Sequence, residues 1–596
     1  MSAQAVPAHS TRHAAAIAAF FFPLALLPWL NPVSGGAMTP AIPLLVGWVC
    51  SALLFAGLPA RSMSRSAFWG LGALVLAALL GVVLDLSWQL LAVSLLMIAA
   101  TSLVGVRLVQ QFAAPHGAGA AQEKDCSCTQ TGVALIAWSW LLAGLLNAII
   151  GFLQYRQQTA WLGDFVNHAA AGQVYGNLRQ RNQFATLMSM ALWALWYLWQ
   201  QGGLQRMARH VCNESRLVAT VLAWLLMLPL SAGMALTLSR TGLVQLVAAG
   251  IMLGFWMLRK SQPSSIGVSR AAGLVWLAGV AVAYLLTTYL LHHLYGGVDM
   301  LVRLEGKDSR VCIGRTVLWS NVLWLINQKP WLGWGWGELD YAHYMANYPG
   351  MRFCSLLDHA HNLPLHLAVE LGIPIAVLVC AVFLWWVWRN RPWSEGEPSR
   401  QLMWGVLAMI GAHSLLEYPL WYAHFQMAAG LALGVLGAAR RSGRKNREVG
   451  EGRAGSGVPD AWALWFQRAL AGFLLAGLVY ASFDFVRVTQ LYLAPEDRVW
   501  PFRERTQEQA ERSFLYRNAV EFARVSTTDV TPEKAKQQLA QAQQLMHYSP
   551  EPRVIIRLIE CLQVLGHQAA ADAQAEHFRQ VYPDDYARWK RGEEEQ

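Results

Sequence analysis

Residues 272–291 read AGLVWLAGVAVAYLLTTYLL, and the chain then stays mostly polar from His292 to His361 before it becomes apolar again. A helix of about 20 apolar residues is long enough to cross the roughly 30 Å hydrocarbon core of a bilayer. Inside lipid a segment has to satisfy its own backbone hydrogen bonds, and a helix does so. The quoted run therefore predicts a membrane-spanning helix, and the polar segment after it predicts a large loop outside the membrane.

The whole sequence has the composition of a membrane protein. Of its 596 residues 55% are hydrophobic and only 14% are charged, and the mean hydropathy is +0.31. No single globular core needs that much apolar surface. The net charge of +10 comes mainly from short basic segments between apolar runs, where Lys and Arg act as topology signals. These features argue against a soluble globule and against a nucleic-acid partner.

Apolar runs of membrane-spanning length recur along the chain. The fold class that they predict is an all-α polytopic membrane protein with about thirteen transmembrane helices. The basic segments agree with one orientation, in which the amino terminus is cytoplasmic. The loop 292–361, the segment 155–182, the turns at Arg240 and Tyr418, and the carboxyl-terminal tail then lie on the outward side. The predicted spans are near residues 14–31, 40–60, 66–84, 88–110, 132–154, 183–200, 217–236, 241–258, 272–291, 363–388, 401–416, 420–438 and 462–482.

The carboxyl-terminal tail differs from the rest because it is charged and helix-forming from Pro495 onward. Residues 531–566, TPEKAKQQLAQAQQLMHYSPEPRVIIRLIECLQVLG, predict two amphipathic helices around the turn Ser549-Pro550. Such a pair resembles a tetratricopeptide-like hairpin. Residues 450–459 are rich in Gly and predict a flexible cytoplasmic linker. The predicted domains are 1–131 (amino-terminal spans), 132–440 (catalytic membrane core with the loop 292–361), 441–482 (linker and last span) and 483–596 (outward helical domain).

Two short outward segments carry polar groups beside helix starts. One is the turn at Arg240, whose charge is either functional or simply reaches the membrane surface. The other is residues 175–183, YGNLRQRNQ, whose amides and guanidinium groups suit an anion such as diphosphate next to a helix amino terminus. A solvated loop with snorkelling arginines is the alternative interpretation. The candidate ligands in this segment are Asn177, Gln180, Arg181, Asn182 and Gln183.

The polar loop 292–361 holds the densest set of reactive groups. Arg315 follows Gly314, and the loop closes on the sequence DHAHN, in which His359, His361 and Asn362 meet a helix start. Imidazole suits proton transfer near neutral pH, and a guanidinium can offset the charge of a leaving phosphate. A lone histidine is more often structural, but this grouping at one membrane boundary favours chemistry.

Further carboxyl groups lie beside predicted membrane boundaries. His366 and Glu370 are four residues apart and share one helix face, where they could position the loop or neutralise each other. Glu417 and Tyr418 precede a proline that explains the helix break there. The proline does not explain the acid and the phenol, which remain candidates for binding.

The cysteines indicate a disulfide rather than a metal site. Cys126 and Cys128 supply only two ligands, and the sequence has no H-E-x-x-H motif. Cys312 and Cys354 both lie in the outward loop, where a disulfide can persist. Joining them closes a loop of about 43 residues, worth roughly 4 kcal/mol in the chain-entropy model. This pairing is a hypothesis that thiol labelling before and after reduction can test.

The order of these segments resembles the superfamily of bacterial O-antigen ligases, polymerases and protein O-oligosaccharyltransferases over residues 130–440. His361-Asn362, followed after nine residues by Gly372, is similar to the ligase signature H-[NSQ]-x9-G. The second glycine often seen in that family is absent from Gly372-Ile-Pro-Ile375, which puts the close packing of that helix in doubt. Other similar landmarks are Ser239 to Gly242, Arg315, Pro330 to Gly337, and Glu417 to Pro419.

Residues 176–185, GNLRQRNQFA, look like the amino-terminal motif of the PglL-type protein glycosylation ligases, a branch that the outward helical tail also resembles. The resemblance implies transfer of a preassembled oligosaccharide from undecaprenyl diphosphate to Ser or Thr hydroxyls of periplasmic proteins. It implies no cofactor or metal, and a multi-pass location in the bacterial inner membrane with a periplasmic active site. In this interpretation His361 is the base, Arg240 and Arg315 stabilise the diphosphate, and Tyr418 positions donor or acceptor.

The residues implied in substrate binding are Asn177, Gln180, Arg181, Asn182, Gln183, His359, Asn362 and Glu417. Two related activities remain open, an O-antigen ligase that uses lipid A core as acceptor and a glycan polymerase, because they share the donor chemistry. The alternative outside enzymes is a transporter with His366 and Glu370 as a proton relay. The concentration of polar residues at one membrane face and the lack of an inverted repeat argue against it.

Overall fold

The computed structural model describes residues 8–32, 41–58, 63–85, 87–111, 121–209, 215–258, 270–295, 311–448, 457–458 and 460–593. Part of the predicted polar loop, residues 296–310, and most of the predicted linker 450–459 lie outside these ranges. The described chain is mainly helical. Two short strands, β1 (Met63–Ser64) and β2 (Gly457–Val458), pair antiparallel, with Met63 opposite Val458.

The helices follow the predicted apolar runs closely. In chain order the described α-helices are α1 (Ala8–Leu30), α2 (Ala41–Gly57), α3 (Arg65–Val83), α4 (Gln89–Gln111), α5 (Ala121–Tyr155), α6 (Arg181–Gln200), α7 (Gly203–Ala208), α8 (Ser215–Leu236), α9 (Arg240–Leu258), α10 (Arg270–Tyr295), α11 (Arg315–Gln328), α12 (Leu339–Met345), α13 (Leu363–Leu371), α14 (Ile373–Asn390), α15 (Pro398–Ser414), α16 (Ala423–Glu448), α17 (Asp460–Thr489), α18 (Thr506–Ala510), α19 (Arg517–Thr527), α20 (Ala535–Leu545), α21 (Pro552–Val564), α22 (Gln568–Val581) and α23 (Pro583–Lys590). Short 3-10 helices lie at Ala160–Phe165, Gly176–Leu178, Val311–Ile313, Pro392–Ser394, Pro419–Trp421, Gln490–Tyr492 and Pro495–Asp497.

Eight of the described helices are long and apolar enough to cross a membrane. They lie at Arg65–Val83, Gln89–Gln110, Thr131–Tyr155, Arg216–Leu236, Arg240–Met257, Ala271–Leu291, Ile373–Ser394 and Ala461–Tyr492. Shorter apolar helices lie at Ala15–Leu30, Ala41–Gly57 and Ala423–Ala438. The protein is thus an all-α polytopic membrane protein, as predicted, whereas the count of thirteen spans stays a prediction.

One predicted span needs correction, because the apolar run 363–388 forms two helices instead of one. The break is at Gly372, whose φ of +87° and ψ of 158° no helix contains. Pro374 is the second residue of α14, where a missing backbone N–H breaks no helical hydrogen bond. His366 and Glu370 therefore lie in the short helix α13, and the candidate membrane span begins after them.

The chain divides into two compact units. The first contains residues 1–78, 90–308 and 386–476, and the second contains residues 79–89, 309–385 and 477–596. The predicted boundaries, which assign the polar loop to the membrane core and give the tail a domain of its own, stay a prediction. In the structure the described part of the loop from residue 311 onward shares a unit with the tail.

Helix α6 is the centre of the first unit. Its sequence is apolar around the whole circumference, and every residue from Gln183 to Leu198 is buried. Helices α5, α8, α9 and α15 pack around it. At the closest approach, a Cβ atom added to Gly144 of α5 would lie 2.4 Å from the Cβ atom of Ala191. This tight packing holds the middle of α6, which follows the polar motif, against α5.

The second unit joins helix α12 of the loop to the helices of the tail. Tyr344 of α12 shares a buried apolar core with Val554, Ile559 and Phe578. The backbone oxygen of Tyr344 also accepts a hydrogen bond from His577 Nε2 at 2.6 Å. The predicted helix pair around Ser549-Pro550 is present as α20 and α21, which pack together. Its classification as a tetratricopeptide-like hairpin stays a prediction.

A buried carboxylate connects α17 to the tail within this unit. The Asp484 side chain is fully buried and accepts hydrogen bonds from Ser513 Oγ, at 2.9 Å, and from the backbone N–H groups of Phe514 and Leu515. Arg487 Nη1 lies 3.2 Å from the same carboxylate. A carboxylate with several donors and a cationic neighbour tolerates burial, so this contact can hold the end of α17 against residues 513–516.

Candidate active site

Three of the predicted polar motifs meet in the first unit, where α6 and α9 begin. The Glu417 carboxylate accepts hydrogen bonds from Asn182 Nδ2 at 2.9 Å and from Gln180 Nε2 at 3.4 Å. Ser239 Oγ donates to Asn182 Oδ1 at 2.6 Å. Segments more than 50 residues apart in sequence are thus joined through one buried carboxylate and one amide.

This junction has the charge pattern of an anion site. Arg181 and Arg240 are the first residues of α6 and α9, and the Arg240 side chain is exposed. Helix amino termini carry partial positive charge and point backbone N–H groups outward from the helix. Glu417 is largely buried and is occupied by the two amides. Two guanidinium groups and two helix starts therefore make this end of the unit suitable for a phosphate-bearing ligand.

Tyr418 lies beside the same carboxylate at the break between α15 and the 3-10 helix Pro419–Trp421. Its ring is half-buried and stacks on that of Tyr422, with ring centroids 6.0 Å apart. The stacked pair lies in the segment that directly follows Glu417 in the chain. A role of Tyr418 in positioning a substrate stays a prediction.

Asn177 and Gln183 have structural contacts that their predicted role in binding did not include. Asn177 Nδ2 donates to the backbone oxygens of Leu30 and Phe165, at 2.8 and 2.9 Å, and its Oδ1 accepts from the backbone N–H of Asn167. A substrate could contact this amide nitrogen only by breaking one of those bonds. Gln183 is buried too, and its Oε1 lies 3.2 Å from Nε2 of His424.

Two buried histidines of this unit, His413 and His424, belong to no recognised motif. His413 Nδ1 lies 2.9 Å from the hydroxyl of Thr186, one helical turn after Asn182. The available signal in the sequence was the four-residue spacing from His413 to Glu417, which places both on one side of a helix end. Their partners lie more than 200 residues away, which no local pattern reveals.

In the second unit, His361 has an unusual backbone conformation. Its φ is +49°, in the left-handed region that few residues other than glycine adopt. On one side, Trp319 Nε1 donates to the backbone oxygen of Ala360 at 3.1 Å. On the other, Asn362 is the N-cap of α13, and its Oδ1 accepts from the backbone N–H of Leu365 at 3.0 Å. These two bonds hold His361 at the start of α13, with its side chain partly exposed.

Arg315 belongs to the same part of this unit. It is the first residue of α11 and lies one helical turn before Trp319, whose indole binds the backbone next to His361. Cys312 and Cys354 are joined by a disulfide, with Cα atoms 5.5 Å apart. Asn321 adds a second connection, because its Oδ1 accepts from the backbone N–H of Phe353 at 2.8 Å. The disulfide therefore connects the residues just before α11 to the later part of the loop.

Near His361 in the sequence, two imidazoles and two carboxyl groups are in successive contact. His359 Nδ1 lies 3.1 Å from Asp358 Oδ2, and the His359 ring stacks on that of His366 with centroids 5.5 Å apart. His366 Nε2 lies 3.4 Å from Glu370 Oε2. Burial raises the pKa of Glu370 to about 8 and lowers the pKa of His366 to about 3. Burial therefore favours the uncharged form of both side chains.

The Gly-rich segment 330–337 fixes the other end of α13. The backbone N–H groups of Trp334 and Gly335 donate to the oxygens of Val369 and Glu370, at 2.9 and 3.0 Å. The N–H of Ile373 donates to the Pro330 oxygen at 2.8 Å. A Cβ atom at Gly372 would lie 2.2 Å from the oxygen of Trp331, so only glycine fits. Close packing is therefore kept here although the second family glycine is absent.

The predicted site residues thus fall into two groups. In the first unit, Gln180, Asn182 and Glu417 are joined by hydrogen bonds next to Ser239. The same unit contains Arg181, Arg240 and Tyr418, whereas the second unit contains Arg315, His359, His361 and Asn362. The joint action of Arg240 with Arg315 and His361 stays a prediction. No group of three metal-ligating side chains suited to an ion is found among the described residues.

Comparison with known families finds three matches along the chain. Residues 222–380 match a model described as O-Antigen ligase. Residues 174–199, which include the motif before α6, match a model described as Protein glycosylation ligase. Residues 401–596 match a model described as Virulence factor membrane-bound polymerase, C-terminal.

Two curated relatives come from Acinetobacter baylyi (strain ATCC 33305 / BD413 / ADP1). The General O-oligosaccharyltransferase is 24% identical over 361 residues, which are 59% of this chain and 57% of that protein. The ComP-specific O-oligosaccharyltransferase is 22% identical over 305 residues, half of each protein. The chain spans about half the length of the curated relatives it matches. With the family matches, this similarity shows that the chain resembles the protein glycosylation ligases of the O-antigen ligase superfamily.

Proposed function

We propose that this protein transfers a preassembled oligosaccharide from undecaprenyl diphosphate to Ser or Thr hydroxyl groups of periplasmic proteins. The observation that carries the proposal is His361, a partly exposed imidazole fixed at the start of α13 in the same unit as Arg315. The similarity to O-oligosaccharyltransferases supports this chemistry. The proposed location is the inner membrane. The two sets of predicted site residues, one in each unit, and the tail are proposed to lie at the periplasmic face.

In the proposed reaction His361 is the general base. It takes the proton of the acceptor hydroxyl while the hydroxyl oxygen bonds to the anomeric carbon of the glycan. The bond between that carbon and the diphosphate oxygen breaks, and the electron pair leaves with the lipid diphosphate. A positioned base contributes about 10²–10⁴-fold to such a step. No metal or cofactor is part of the proposal.

The guanidinium groups serve the leaving diphosphate. Arg315 and Arg240 are proposed to stabilise its growing negative charge, which would be the largest charge in the transition state. In the unit that contains Arg240, the donors of Gln180, Arg181 and Asn182 are proposed to hold the diphosphate or the first sugars. Tyr418 supplies an apolar ring that can position donor or acceptor.

The test is co-expression with a lipid-linked glycan pathway and a secreted acceptor protein in a host that lacks its own ligase. We expect glycan on the acceptor, and we expect His361→Ala to abolish it while membrane insertion persists. His567→Ala is the matched control, because His567 is an exposed histidine of the same unit, and this variant should transfer normally. Near-normal transfer by His361→Ala would remove His361 from the mechanism.

A glycan polymerase is the second candidate, because the carboxyl-terminal third matches a polymerase description. The same co-expression separates the possibilities. A polymerase would give a ladder of longer glycans on the lipid carrier, with none on the acceptor protein. An O-antigen ligase would place the glycan on lipid A core.

A further inference from the structure

Two large apolar side chains project from the Gly-rich segment of the second unit. Trp331 is 75% exposed and Leu332 is 84% exposed among the described residues. They follow Lys329 and Pro330, and we call residues 329–332 the apolar tip. Exposed apolar residues scattered singly need no explanation, but adjacent ones this open usually mark a contact surface.

The apolar tip lies directly against the start of a candidate membrane span. The N–H of Ile373, the first residue of α14, donates to the backbone oxygen of Pro330 at 2.8 Å. The backbone of Trp331 and Leu332 is so close to Gly372 that no Cβ atom fits between them. The position of the tip relative to α14 is therefore fixed by the backbone and does not depend on flexible side chains.

The exposed surface of helix α14 indicates which partner the apolar tip contacts. Ala376 is the only buried residue of α14, and Ile373, Ile375 and Leu378 are all more than 40% exposed. An apolar helix of this length that is open along its sides faces lipid. Trp331 and Leu332 continue that surface beyond its first residue, at the depth where Trp and a nearby Lys prefer the membrane interface.

We propose that the apolar tip inserts into the lipid leaflet at this membrane face and anchors the loop there. The partner is the glycerophospholipid bilayer, with Trp331 at the level of the headgroups, Leu332 in the upper acyl region and Lys329 near the phosphates. This inference does not depend on the transfer reaction.

Anchoring has a consequence for His361, which lies at the opposite end of α13 from the tip. That helix has nine residues, so its length is about 14 Å. The hydrogen bonds of Trp334 and Gly335 to the end of α13 connect the tip to the helix rigidly. Insertion of the tip would therefore keep His361 within about one short helix length of the lipid surface.

The test is site-specific photocrosslinking of the full-length protein in nanodiscs of phosphatidylethanolamine and phosphatidylglycerol without any glycan donor. The photoreactive residue p-benzoylphenylalanine replaces Leu332. Leu378 on the side of α14 is the lipid-facing comparison, and Met351, which is 53% exposed in the same unit, is the comparison expected to face water. Formation of the disulfide between Cys312 and Cys354 confirms that each variant has folded.

We expect phospholipid adducts, identified by mass spectrometry, at positions 332 and 378 but not at 351. Adducts at 378 without any at 332 would overturn the proposal. Equal lipid labelling at 351 would also overturn it, because contact would not be specific to the tip. Crosslinks from position 332 to protein instead of lipid would also overturn the proposal, because the partner of the tip would then be a protein. Because glycan transfer is not the readout, failure of the proposed function would leave these outcomes unchanged.

Discussion

His361 combines a partly exposed imidazole with a backbone conformation that its neighbours have to maintain. A residue other than glycine in a sparsely populated region of φ and ψ costs on the order of 1–3 kcal/mol. The hydrogen bonds from Trp319 Nε1 to the Ala360 oxygen and from the Leu365 N–H to Asn362 Oδ1 offset this cost on both sides of His361. The sequence signature marks His361 and Asn362, but not Trp319, because that contact joins residues 41 positions apart.

Glu370 gives a prediction about pH at the same scale. Burial raises its pKa from 4.5 to about 8, so between these pH values the folded protein binds more protons than the unfolded chain. Stability then falls as the pH rises. His366 has the opposite sign, since its pKa is lowered from 6.5 to about 3, and its contribution rises with pH within that window. From about pH 6.5 to 8 the raised carboxyl groups, Glu370 and Asp340 with its pKa of about 7, dominate.

We therefore expect Glu370→Gln to make the loss of thermal stability between pH 6.5 and 8 shallower than in the native protein. The neutral amide has no proton to lose, while the Asp340 contribution persists. Each 1 kcal/mol of added unfolding free energy raises the melting temperature of a unit of this size by about 2–4 °C. Melting curves in detergent across this pH range measure the effect. Glu508→Gln, at a side chain 65% exposed, is the control expected to change nothing. An unchanged slope in Glu370→Gln would contradict a raised pKa.

At the scale of the helices, apolar length is a local property, and this is why every predicted span coincides with at least part of a helix. The helix break at Gly372 was not predicted from the sequence, because the residues on both sides of it are apolar and hydropathy alone indicates one continuous span. What separates the two helices is contact with residues 330–333, which lie about 40 positions earlier. The family glycine signature marked the position, and the structure supplies the reason.

Gly372→Ala tests this break. Its φ of +87° and ψ of 158° belong to a region that is essentially restricted to glycine, and a Cβ atom would meet the Trp331 backbone at 2.2 Å. We expect a loss of at least ~1–3 kcal/mol, seen as a lower melting temperature and faster proteolysis of the loop. Gly350→Ala is the matched control, because nothing lies within 4 Å of its added methyl group. Equal effects of the two changes would show that the contact with Trp331 is unimportant.

At the scale of the whole molecule, the tail is connected to the loop far more closely than its sequence suggests. Its amphipathic helices predicted a domain of their own, but one of their core positions is occupied by Tyr344 of the loop. His547 adds a contact with the Glu338 carboxylate at 2.8 Å and stacks on Tyr341. Periodicity shows that a helix has an apolar face but not what covers it, so this shared core was beyond prediction from the sequence.

Because the tail and the loop share this core, a cavity made in the tail should destabilise the loop as well. Phe578 is fully buried in the core that contains Tyr344, so Phe578→Ala should cost about 3–5 kcal/mol. We expect the full-length variant to insert into the membrane but to be cleaved faster by protease within residues 339–361. Val564→Ala, at a side chain 43% exposed in the neighbouring helix, should leave the digestion unchanged. If the loop stays protected in Phe578→Ala while the tail is digested, then the loop folds without the tail. A recruiting role for a separate domain would then explain the tail better than support of His361.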